Sequence, residues 1–150
     1  PRQDRRHRLG CPDWINIIPL TADDQIVLVR QYRHGVREVT LEIPGGMIDG
    51  PEAPIVAAAR ELREETGYEA ERVVPLGTVW PNPAIQNNVC HFFLAENARR
   101  VAPPEPDTFE KIEVVTVPLA DVPELVRTGA IRHGLVLNAL AMLGLPLGRR

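Results

Sequence analysis

The stretch from Gly46 to Tyr68 reads G-M-I-D-G-P-E-A-P-I-V-A-A-A-R-E-L-R-E-E-T-G-Y, and it crowds Glu61, Glu64 and Glu65 into five positions. On a helix, residues three and four apart share a side. The spacing therefore puts all three carboxylates on one side, away from an apolar stripe of Ile55, Ala59 and Leu62. Like charges so placed destabilise an isolated helix by about 0.2–0.5 kcal/mol per pair. Acids near a helix C-terminus also oppose the macrodipole. A divalent cation would offset both costs. Several carboxylates with open coordination positions suit Mg2+ or Mn2+, which take oxygen ligands and bridge to substrate phosphates. A solvated charged face, with Arg60 and Arg63 as salt-bridge partners, would use the same residues. Gly45-Gly46, just upstream, favours the ligand reading, because paired glycines let a backbone approach a metal or phosphate closely.

That chemistry requires a helix held against a strand-borne glycine loop. Residues 52–66 place Ile55, Ala59, Leu62 and Thr66 at helical spacing, and Gly67 sits where a left-handed cap glycine ends a helix. Upstream, W-I-N-I-I-P-L from Trp14 and Q-I-V-L-V-R-Q-Y from Gln25 read as strands, with Asp23-Asp24 between them as the turn of a hairpin. Val39 to Ile43 is a third strand, closed by Pro44-Gly45-Gly46. Downstream strands are expected over Val73–Trp80, Val89–Ala95 and Ile112–Val117, and helices over Asp121–Arg127 and Leu135–Leu143. The segment from Ala98 to Thr108, rich in proline and charge, reads as a loop. Strands, a central helix, then strands and helices predict an α/β layered sandwich with a mixed sheet.

Composition narrows the partners. The 150 residues are 44% hydrophobic and 25% charged, near the globular average, so general disorder is excluded. Fifteen prolines argue for short elements and shaped loops. A net charge of −3 and 5% aromatics argue against a dedicated nucleic-acid binder. No apolar run approaches the roughly 18 residues of a membrane span. Cys11 and Cys90 are too few for a disulfide framework, so a reducing, cytoplasmic setting is the simpler expectation. Residues 1–13 hold Arg2, Arg5, Arg6 and Arg8 and read as a basic arm, solvated or in contact with an anion. The chain opens on Pro1, so this arm is expected to be trimmed or processed.

The stretch from Gly46 resembles the Nudix box, G-x5-E-x7-R-E-U-x-E-E-x-G-U, where U is a bulky aliphatic residue. Gly46, Glu52, Arg60, Glu61, Leu62, Glu64, Glu65 and Gly67 fall in register over 23 residues, and Tyr68 at the final U is the one departure. The resemblance implies a Nudix hydrolase domain over residues 14–150, folded as an α/β/α sandwich. It implies hydrolysis of a nucleoside diphosphate linked to another moiety, with two or three Mg2+ or Mn2+ ions. It maps metal ligands onto Glu61 and Glu65, with Glu64 nearby and the Gly45 carbonyl beside them. Arg60 and Glu52 would pair and hold the loop against the helix.

V-L-V-R-Q-Y-R-H-G from Val27, L-E-I-P-G-G from Leu41, and Pro83, 16 residues past Gly67, are similar to the ADP-ribose pyrophosphatase branch. The local text P-N-P-A-I-Q-N-N departs from the S-P-G form common there and leaves ADP-, GDP- and UDP-sugars open. Arg33 takes the position that contacts phosphate or ribose in related enzymes, and a guanidinium can hold a diphosphate bidentately. Glu42 and Met47 are candidates to line the pocket. Trp14 could stack a nucleobase or belong to the core. Trp80 and His91 read as structural. For the base, the branch points to the loop before the last strand, where Glu110 is the first choice, alone or as a further metal ligand. Thr108 stands where related enzymes often carry glutamate, so Glu64 is the other candidate. Enzymes of this branch are commonly homodimers. The rival readings are a silent sensor of nucleotide sugars, a pyrophosphatase of 8-oxo-dGTP type, and a prenyl diphosphate isomerase that would need Cys90.

Overall fold

The computed structural model describes residues 9–105 and 111–148. Four strands, β1 (Trp14–Pro19), β4 (Gly45–Met47), β6 (Arg72–Val79) and β7 (Cys90–Glu96), form a mixed sheet in the order β4-β1-β7-β6, with β1 parallel to β7. Beside it stands an antiparallel sheet, β3-β2-β9, of β2 (Gln25–Arg33), β3 (Glu38–Glu42) and β9 (Ile112–Pro118). Two short strands, β5 (Tyr68–Glu69) and β8 (Arg99–Arg100), pair separately.

Helix α1 (Pro54–Thr66) covers one face of the mixed sheet, where Ala57, Ala58 and Leu62 meet Ile15, Ile17 and Phe93. The other face packs Ile18 and Phe92 against β2 and against α2 (Val122–Arg127) and α3 (Gly134–Met142). Burial on both faces explains why β1 is an almost unbroken apolar run. This is the expected α/β/α sandwich.

Two expectations change. β1 and β2 do not make an extended hairpin. They share one bridge, Leu20 to Ile26, and then part into different sheets. Both edges of each strand are already taken, β1 by β4 and β7 and β2 by β3 and β9. The stripe of α1 is also shifted. Ile55 is 42% exposed and Ala59 is exposed, whereas Ala58, Leu62 and Glu65 are buried. Small alanines let the helix approach the sheet closely, and Glu65, placed by spacing on the wet side, lies on the inner one.

Proline in its first turn starts α1, and Gly67 at φ +73° ends it with its N–H on the Arg63 carbonyl. A Cβ on Gly67 would stand 2.0 Å from the Ala102 oxygen. The cap is therefore also a docking point, and the N–H groups of Val101 and Ala102 both donate to the Gly67 carbonyl. Among the described residues, no helix is long and apolar enough to cross a membrane.

Candidate active site

The site is built around β4, a three-residue strand where sequence patterning predicts a glycine loop. β4 pairs with β1 so that Gly46 faces Ile15 and Gly45 faces Asn16. From the helix side, Glu61 reaches Gly46 so closely that a Cβ there would lie 2.4 Å from its Oε1. Glu65 is 3% exposed, and its Oε2 accepts the Gly45 N–H at 3.0 Å. Two helix carboxylates thus abut two glycines, an approach that side chains at 45 and 46 would block.

Arg60 gathers the remaining acids. Its Nη1 donates to Glu61 at 2.8 Å and to Glu64 at 2.9 Å. Its Nη2 donates to Glu52 at 2.7 Å and to the Met47 carbonyl at 3.2 Å, and Asp49 lies 3.7 Å away. Glu52 also accepts the Asp49 N–H at 2.9 Å, so Arg60 and Glu52 tie the loop to the helix. The Arg60 hydrogen bond holds the Glu52 carboxyl below the usual range, helped by the Asp49 N–H. The Glu52 bond in turn raises the Arg60 guanidinium further above its ordinary value, against the effect of burial.

Among the described residues, no three carboxylate, imidazole or thiol groups close into a metal cage. The donor chemistry nonetheless fits a hard divalent cation. Glu61, Glu64 and Glu65 offer oxygen only, beside a backbone stripped of side chains, with one guanidinium supplying positive charge.

Across β4 lies a cavity of about 280 Å3 that brings together Trp14, Arg33, Glu42, Gly45, Gly46 and Met47. Arg33 does not hang free. Its Nε and Nη2 donate to the two oxygens of Glu42 at 2.9 and 2.7 Å, and Thr40 Oγ1 adds a third bond at 2.6 Å. Burial pushes the Glu42 carboxyl up. The Arg33 and Thr40 hydrogen bonds, with the charges of Arg33 and His133, outweigh it and hold the group below the usual range. Glu42 is 1% exposed, so the fork fixes the guanidinium at the cavity wall while its side chain keeps 42% of its surface open. Met47 is exposed at the rim, and Trp14 is half-buried against the core.

Glu110, with Asp107 and Thr108, lies outside the described residues. The loop leading to them is anchored on the acidic end of α1, where the Glu105 N–H donates to the Glu64 carbonyl at 2.7 Å. Trp80 is 71% exposed rather than structural, because it falls just beyond the end of β6. His91 is not a satisfied core residue either; it is partly exposed and stands 3.7 Å from Asp13.

Sequence reasoning missed two polar residues of this wall. His133, which precedes α3, lines the cavity, and its Nδ1 is buried without a partner. Asn16 is 9% exposed; its Nδ2 donates to the Pro44 carbonyl at 3.4 Å and its Oδ1 accepts from Cys90 Sγ at 3.5 Å. The available signal was one amide inside an otherwise apolar strand, W-I-N-I-I. Burial, with the charge of Asp13, pushes the Cys90 thiol up to about 12, which speaks against thiol chemistry there.

A NUDIX domain model matches residues 14–139. The chain is 29% identical over 145 residues to an ADP-ribose pyrophosphatase of Bacillus subtilis, covering 96% of this chain and 78% of that protein. It is 32% identical over 145 residues to an ADP-sugar pyrophosphatase of Mus musculus, covering 90% and 66%. A crystal structure of an ADP compounds hydrolase superposes with a TM-score of 0.80 at 26% identity, covering 88% of this chain and 70% of that one.

Proposed function

Because the chain belongs to the NUDIX domain family, we propose that it hydrolyses the diphosphate bond of a nucleoside diphosphate sugar. The substrate is ADP-ribose or an ADP-, GDP- or UDP-hexose, and the products are a nucleoside monophosphate and a sugar phosphate. One observation carries the reading. The Gly45-Gly46 strand has the acidic helix face on one side and the Trp14–Arg33–Glu42 cavity on the other. A diphosphate laid along that strand would have the cation-holding carboxylates on one side and a pocket at its organic end. The names of the relatives support the same bond.

Glu61, Glu65, Glu64 and the Gly45 carbonyl would hold two or three Mg2+ or Mn2+ ions, which when bound supply Lewis-acid neutralisation of the diphosphate. The chain's own residues do the rest. Arg33, oriented by Glu42, binds a non-bridging phosphate oxygen and steadies developing negative charge. Arg60 and Glu52 keep the loop and Glu61 in place. Glu110, or Glu64 in its stead, accepts the proton of the attacking water. Trp14 packs against the base or sugar, and Met47 closes the rim. The protein is read as a cytoplasmic homodimer, with residues 14–150 as the catalytic domain and residues 1–13 as a basic arm.

Chromatography of products formed with Mg2+ from ADP-ribose, GDP-mannose, UDP-glucose, ADP-glucose and 8-oxo-dGTP tests this. Release of a monophosphate from at least one nucleotide sugar is expected. Turnover of 8-oxo-dGTP alone would move the protein to triphosphates. Binding without turnover, in Mg2+ and in Mn2+, would make it a sensor.

A further inference from the structure

We infer that Asn16 binds substrate, its side-chain amide reading hydroxyl groups of the sugar bonded directly to the diphosphate; this rests on the hydrolase reading above. Asn16 and Trp14 alternate with Ile15 on β1, so the amide and the indole share one face. That face is the cavity wall that also carries Arg33 and Glu42. A primary amide has two N–H donors and two acceptor lone pairs. Among the described residues, Asn16 Nδ2 donates to the Pro44 carbonyl at 3.4 Å and its Oδ1 accepts from Cys90 Sγ at 3.5 Å, which leaves one N–H and one lone pair to spare at 9% exposure. An amide with a spare donor and a spare acceptor at a cavity wall can bind a ligand through them.

Position selects the ligand. Gly45 gives its N–H to Glu65 on the helix side, and a Cβ on Gly45 would stand 2.2 Å from the Asn16 Nδ2. One glycine backbone separates the carboxylate that flanks the diphosphate from the amide. The group attached directly to a diphosphate is a pentose or hexose, and a nucleobase sits one ring farther away. A neutral amide both donates to and accepts from hydroxyls, and the half-buried indole beside it suits the apolar face of a sugar ring. Either the glycosyl sugar or the nucleoside ribose carries this chemistry.

The test compares wild type with Asn16→Ala and Asn16→Val. With ADP-ribose and Mg2+, each variant is expected to raise KM at least tenfold, with kcat within threefold and a melting temperature equal to or above that of wild type. Product inhibition assigns the sugar. Weaker inhibition by ribose 5-phosphate alone points to the glycosyl side, and weaker inhibition by AMP alone to the nucleoside side. KM within threefold of wild type in both variants overturns the inference. A lowered melting temperature with unchanged KM also overturns it, in favour of a structural amide. If wild type hydrolyses no nucleotide sugar, the parent reading fails separately. Calorimetry of ADP-ribose binding then decides, and equal affinities of wild type and Asn16→Ala overturn the inference.

Discussion

Two arginine–carboxylate clusters flank the Gly45-Gly46 strand, and they are built on opposite principles. On the helix side, Arg60 alone faces Asp49, Glu52, Glu61 and Glu64. On the cavity side, Arg33 holds the buried Glu42 in a bidentate fork closed by Thr40. The first cluster carries excess negative charge at a partly open surface. The second is balanced and fixed against the core. Excess charge is what a site that recruits cations needs, whereas balance holds one guanidinium at a set place. The difference teaches that residue type alone does not assign a role here, because charge ratio and burial do.

Breaking the acidic cluster should have the largest effect. Glu65→Gln keeps the shape of the side chain and removes a charge. Metal-dependent turnover is expected to fall on the order of 100-fold, or about 2.7 kcal/mol in the barrier. A loss below tenfold in steady-state kinetics would strike Glu65 from the ligand set. MgCl2 should raise the melting temperature of wild type by mass action, EDTA should reverse the rise, and Glu65→Gln should blunt it. An unchanged melting curve would mean that Arg60 already satisfies the acids.

Breaking the balanced pair should cost stability before chemistry. Arg33→Ala takes the guanidinium from Glu42, which is 1% exposed, and leaves it the Thr40 hydroxyl. Removing the partner of a buried charge costs about 3–5 kcal/mol. Because the Arg33 side chain keeps 42% of its surface open, the lower part of that range or somewhat less, about 2 kcal/mol, is expected in urea melts. Gly67→Ala tests the support common to both clusters at a smaller magnitude. It forces an L residue to φ +73°, which alone costs about 1–2 kcal/mol, and drives its Cβ against the Ala102 carbonyl, which must shift. It should also loosen the 101–105 loop, which amide hydrogen exchange at Val101 and Ala102 would detect.

How much of this could be read from the chain follows the same division. The acidic cluster lies within 23 consecutive residues, and helical spacing is local, so its members and the Gly67 cap were legible. The direction of Glu65 was not. Its burial depends on Gly45, twenty residues away, offering an N–H across the helix–sheet interface. The balanced pair was visible as two candidates, but their fork depends on β2–β3 register, which pairs Arg33 with Glu38 and Gln31 with Thr40. Asn16 showed only as one amide in an apolar strand, because its meaning arises where β1 meets β4. The parting of β1 and β2 was equally hidden, since strand partners are chosen by the whole sheet and a turn signal is local.

The smallest effect separates the clusters by pH and salt. The Glu42 carboxyl is held below its ordinary value of 4.5 when folded. It therefore binds a proton less readily in the folded chain than in the unfolded one. Its stabilising contribution is fully present above the unfolded value and is lost as pH falls through the folded one. Glu42→Gln should thus cost about 1 kcal/mol near neutral pH, with a difference from wild type that closes as pH falls through the lowered folded value. Salt sharpens the contrast. At 1 M ionic strength the screening length is about 3 Å, which weakens exposed charge pairs but reaches buried ones much less. The Glu42→Gln difference should persist in 1 M NaCl, while that of Glu64→Gln, whose side chain is 46% exposed, should vanish. If both differences disappear together, the cavity pair is as wet as the helix face, and the two clusters do not differ in kind.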